Sequence, residues 1–111
     1  MSTFDRRTKA FEKKFALDEE RRFKAEVRRN RLLGFWAAER LGITGDAAAT
    51  YANEVVAADL EEAGDADVVR KIMGDLAAKD AAKDAAVTEQ AIRAKMNDFT
   101  AQALAEVKAG K

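Results

Sequence analysis

Four cations near the end of the first third of the chain are the residues best placed to do chemistry. Lys24, Arg28 and Arg31 stand four and three positions apart, so a helix puts them on one face, with Arg29 flanking it. Ammonium and guanidinium groups in that arrangement could grip the phosphate of a nucleotide. The same four could instead form a charged outer face, paired with Glu20, Glu26 or acids on other helices. Trp36, the single indole, reads as core rather than as a stacking platform. Glu39, Glu54, Asp59, Glu61 and Glu62 read as a solvated face of amphipathic helices.

Other chemistry is largely excluded. The chain has no cysteine and no histidine, so thiolate, disulfide and imidazole chemistry are absent. No Gly-x-x-x-x-Gly-Lys-Ser/Thr phosphate loop is present. Asp65 and Asp67 begin like a calcium loop, but Val69, Arg70 and Lys71 do not continue it. No Glu-x-x-His pair could build a di-iron site. The expectation is a protein that is not an enzyme, with no catalytic residues and no metal.

A second group of residues points to binding. Phe4, Phe11 and Phe15 are half of the six phenylalanines, and they lie within the first fifteen positions. Spacings of seven and four put them on one narrow helical stripe. Three, four and seven places after Phe15 stand Asp18, Glu19 and Arg22, so the stripe stops there. Apolar residues resume at Phe23 and Val27, rotated by roughly 100–120°. This pattern suggests one helix with two apolar surfaces, the later joining a core and the earlier offered to a partner's groove. Arg6, Arg7, Lys13 and Lys14 would rim that docking surface and steer association.

The elements that position these residues are helical. Alanine is abundant and proline absent, and β-branched residues are scattered. The first helix is expected to start near Ser2 or Thr3 when docked and near Asp18 when free, and to end at Gly42. Its core residues would be Phe23, Val27, Leu32, Leu33, Phe35, Trp36, Ala37, Ala38 and Leu41, with Gly34 allowing another helix to approach. Tyr51, Ala52, Val55, Val56 and Leu60 would give the second helix its buried stripe. Val68, Val69, Ile72, Met73 and Leu76 would do so for the third. Residues 77–86, AAKDAAKDAA, hold no large apolar side chain, and Asp80 or Asp84 could cap the fourth helix. Val87, Ile92, Met96, Phe99, Ala103 and Val107 continue that helix. The fold class is therefore all-α: a four-helix bundle over 20–111, with a long first helix and a mobile amino-terminal segment, 1–19.

Charge is unevenly spread, although the formal total is zero. Residues 1–31 hold eleven Lys/Arg against six Asp/Glu, and residues 32–111 hold nine against fourteen. A basic arm on an acidic body suits an acidic partner surface, and equally suits the arm resting on its own body. Nucleic-acid binding is disfavoured, because the body is acidic and no groove-reading motif occurs. No apolar run approaches the ~18–20 residues of a membrane span, and the opening residues lack a secretory apolar core. A cytoplasmic protein, monomeric when free, is expected.

The strings TFDRRTKAFEKKFALDEE and FKAEVRRNRLLGFWAAERLG, at 3–20 and 23–42, resemble the zeta subunit of bacterial F-type ATP synthases. The resemblance is strong over about the first forty residues and looser beyond. It implies a small four-helix protein whose amino-terminal segment inhibits ATP hydrolysis by wedging into a catalytic interface between the alpha and beta subunits, near gamma. It implies that residues 1–19 are the inhibitory segment, with Phe4, Asp5, Arg6, Phe11, Glu12, Lys14 and Phe15 on matching positions. The protein would then act at the cytoplasmic face of the inner membrane without inserting into it. It would require no cofactor. Alternatives are a small helical sensor that binds ADP or ATP weakly through Lys24, Arg28, Arg29 and Arg31, and a helical interaction protein of unrelated purpose.

Overall fold

The fold is built on one helix longer than the rest. In the computed structural model, α1 runs Thr3–Leu41, α2 Gly45–Glu61, α3 Ala66–Ala78 and α4 Glu89–Lys108. The structure describes residues 3–61, 64–78 and 88–110, with side chains for 17–60, 64–78 and 88–110. All four described elements are helices, as the composition indicates. The start of α1 at Thr3 is the longer of the two starts that the sequence allows.

Local chemistry explains the ends. Gly42 takes φ 74°, a left-handed conformation that costs other residues more. Its N–H donates to the Glu39 carbonyl at 3.2 Å, and Ile43 N–H donates to the Ala38 carbonyl at 2.8 Å. These two bonds form a Schellman motif that satisfies carbonyls the helix end would otherwise orphan. The start of α4 differs from expectation. Thr88, not Asp80 or Asp84, is its N-cap, with its hydroxyl accepting from Ala91 N–H at 3.1 Å. Thr88 stands one residue before Glu89, within reach of the orphan amides of the first turn.

α1 touches all three other helices and packs most extensively against α2 and α4. Asn30 meets Asp59 and Gly34 meets Ala52, so α2 runs antiparallel to α1. Arg28 meets Glu106, near the far end of α4, consistent with an antiparallel α4. The core is Leu33, Val55, Val68, Ile72, Leu76, Ile92 and Met96, filled in by small residues including Ala37, Ala38 and Ala48. Burying each Leu or Ile there contributes about 1.5–3 kcal/mol. Gly34 does permit close approach: a Cβ on it would lie 2.6 Å from the Ala52 Cα.

Four expected core positions are corrected. Phe23 is 55% exposed and Phe35 is exposed, while Arg29 and Asn30 are buried in their place. The core sector of α1 runs through Ala25, Arg29, Leu33 and Ala37, which are four residues apart. On α2 the fifth stripe position is Asp59, four after Val55, and Leu60 is 65% exposed. On α3, Met73 sits at the exposed margin beside buried Ile72.

α2 and α3 are joined by a smaller polar contact. The Tyr51 hydroxyl donates to Asp75 at 2.9 Å, and Lys71 reaches Asp75 at 3.1 Å and the Tyr51 ring at 5.1 Å. Burial first, then the Asp75 carboxylate, raise the Tyr51 phenol above its ordinary range and keep it neutral.

Candidate functional site

The nine residues expected to dock are Phe4, Asp5, Arg6, Arg7, Phe11, Glu12, Lys13, Lys14 and Phe15. Their side chains lie outside the described residues. What is described is the helix that carries them. α1 is continuous for 39 residues, about 58 Å at 1.5 Å per residue. Every side chain from Leu17 to Lys24 is exposed, and the first buried one among those described is Ala25. Over residues 17–24 the described side chains of α1 are therefore free of the core, and the helix itself runs back to Thr3. The overall extents, 65 × 25 × 21 Å, reflect that projection.

Helical register changes how the two apolar surfaces relate. Residues eighteen apart are about five full turns apart, so positions 4, 11 and 15 share the angular line of 22, 29 and 33. Arg29 and Leu33 face the core, and Phe23 does not. The side chains of Phe4, Phe11 and Phe15 lie outside the described residues, and the core sector of α1 is the one that holds Arg29 and Leu33. Phe23 and Val27 are the residues rotated off it. Val107, one residue before the end of α4, lines the same groove as Phe23.

The four cations divide. Arg29 is buried and leaves the basic face altogether. Its guanidinium meets Asp65 at 2.9 Å, Asp59 at 3.7 Å and Glu26 at 4.0 Å. It also donates to the Asn30 side-chain oxygen from Nε at 3.1 Å and Nη2 at 3.0 Å. Asn30 in turn donates to Asp59 at 2.8 Å. Among the described residues no buried side-chain polar atom lacks a partner. A network this complete ties α1 to α2 and to the turn before α3. Glu26, Asp59 and Asp65 converge within 4.8 Å, and the Arg29 guanidinium lies against all three. Crowding by the Asp59 carboxylate, through a shared hydrogen bond first and then burial, raises Glu26 above the usual carboxylate range, with Arg29 opposing.

Lys24, Arg28 and Arg31 do come together. With Phe23, Val27 and Val107 they line a groove of about 270 Å³ between α1 and α4. Lys24 pairs with Glu20 at 3.2 Å in the open, and Arg28 with Glu106 at 3.1 Å. Trp36 packs against the core instead and carries Arg40 over its ring at 5.5 Å. The cations available to a phosphate are fewer than the sequence suggests.

Sequence reasoning missed Asn30, placed Asp59 on a solvated face although it is buried, and read the groove residues Phe23, Val27 and Val107 as core. Spacing alone held a signal for the first two. Asn30 lies three before Leu33, and Asp59 four after Val55, so each continues an apolar stripe with a polar residue.

Comparison with known proteins bears on this arrangement. A family model described as "ATPase inhibitor subunit zeta" matches residues 1–106. A solution NMR structure of a protein 48% identical in sequence superposes with a TM-score of 0.67, covering 80% of this chain and 96% of the other. Among curated proteins, none matches the chain.

Proposed function

Because the chain belongs to the ATPase inhibitor subunit zeta family, matched over residues 1–106, we propose that it inhibits its F-type ATP synthase by inserting the free end of α1 into a catalytic interface. The family assigns a regulatory role in association with the synthase, not a catalytic one. No helix among the described residues is long and apolar enough to cross a membrane.

The observation that carries the mechanism is the projection of α1. A helix anchored in a bundle from Ala25 onward, and running back to Thr3, is a rod with a fixed base. Residues 1–19 are the inserting segment, with Phe4, Phe11 and Phe15 as apolar anchors. Arg6, Arg7, Lys13 and Lys14 form the rim, and Asp5 and Glu12 add opposite charge to it. Each buried ring contributes roughly 1.5–3 kcal/mol before ordering costs. The receiving site is the interface of alpha and beta subunits beside gamma. Such an interface opens and closes during turnover. A helix that fits one of its states stabilises that state by its differential affinity alone, and turnover stops there. The site of action is the cytoplasmic face of the membrane that holds the synthase.

Deleting residues 1–19 tests this. The shortened chain should keep its helical circular dichroism and melting transition, since no described side chain before Ala25 is buried. Inhibition of ATP hydrolysis by the purified synthase should be lost. Full inhibition by the shortened chain sinks the proposal.

A further inference from the structure

We propose that the groove between α1 and α4 is a second docking surface, and that it receives an acidic segment bearing an apolar side chain on the same synthase that takes up residues 1–19. This rests on the reading of residues 1–19 as the inserting segment, and adds to it a contact made by the folded body.

Phe23 is the first reason. It is a large ring, more than half exposed, on a helix whose buried sector lies elsewhere. Val27 and Val107, both half-buried, continue its apolar surface across the groove. An exposed ring beside a concave apolar floor is how an anchor site is built.

Charge is the second reason. Lys24, Arg28 and Arg31 border that floor on one side. Arg31 has no ion pair among the described residues. The Lys24–Glu20 pair is solvent-exposed, so a partner's carboxylate can replace it at little cost. An acidic segment gains at this rim and a basic one is repelled.

Placement is the third reason. α1 is one helix, so a partner that seats it through residue 19 brings Phe23 to about 6 Å and Arg31 to about 18 Å beyond the seated end, measured along the axis. The rim of any pocket deep enough to hold residues 1–19 lies beside this groove. A second copy of the chain and a free nucleotide are the rival occupants.

The test uses the full-length chain with a photoreactive benzoylphenylalanine in place of Phe23, illuminated with purified synthase. Exposure of Phe23 lets the larger ring be carried without repacking. A cross-link to an acidic stretch of a synthase subunit is expected. Cross-linking only to a second copy of the chain overturns the proposal, as does no cross-link when the same group in place of Phe11 gives one. Saturable amide shifts on adding ADP, without a cross-link, make the groove a nucleotide site and equally overturn it. The full-length Phe23→Ala, Lys24→Glu, Arg31→Glu variant gives a second measure. Half-inhibition should need roughly tenfold more of it at low salt, with the gap closing as salt rises. An unchanged inhibition curve rejects the groove while leaving residues 1–19 in place. An unmodified chain that does not inhibit at all rejects both.

Discussion

Asn30 on α1 donates its side-chain amide to the Asp59 carboxylate on α2 at 2.8 Å, inside a helix pair otherwise closed by Gly34 against Ala52. Asn30 is 1% exposed, so water cannot take its place when the bond is broken. Asn30→Ala should therefore cost about 1.5–3 kcal/mol, the range for a hydrogen bond to a charged group. Urea unfolding followed by circular dichroism measures it. A loss below half of that would mean the network relaxes without Asn30.

The glycines of α1 and α3 should respond oppositely to alanine. Position 34 has no room, because a Cβ would sit 2.6 Å from backbone of α2. Gly34→Ala should destabilise by about 1–3 kcal/mol, overriding the helix propensity that alanine gains. Position 74 meets nothing within 4 Å. Gly74→Ala should stabilise by up to about 1 kcal/mol. Thermal melts of the two variants side by side check the contrast.

Glu26 makes stability depend on pH. Its carboxyl is raised above 4.5 in the folded chain, chiefly by its shared hydrogen bond with Asp59. A raised carboxyl binds its proton more tightly folded than unfolded. Its contribution is therefore complete below pH 4.5 and is lost as pH rises through the folded value. Glu26→Gln removes that loss. The variant should be more stable than the parent at pH 7, with the advantage vanishing toward pH 4. Urea midpoints across that window decide it, and a gap independent of pH counts against the assignment.

Thr88 starts α4. Removing its hydroxyl in Thr88→Ala orphans the Ala91 N–H bonded at 3.1 Å and should cost about 1 kcal/mol. Thr88→Asp should restore most of it, since aspartate caps as well and places its charge at the positive end of the helix. Melting temperatures of the pair distinguish capping from any other role of Thr88.

Much was legible in the residues themselves. Alanine without proline determined an all-helical chain, and Gly42 marked the end of its first helix. The missing cysteine and histidine removed whole classes of chemistry. The strings at 3–20 and 23–42 pointed to the inhibitory family that the match over 1–106 bears out. These are properties of composition, local conformation and contiguous sequence. Which sector of α1 faces inward was decided only by tertiary structure. Apolarity favoured Phe23 and Phe35, yet Arg29 and Asn30 are buried while those rings remain exposed. The charge on Arg29 becomes tolerable in the interior because Asp59 and Asp65, thirty and thirty-six residues later in the chain, converge on it. Helical periodicity relates residues within one helix. It holds no information about which polar groups a second helix will bring to meet them.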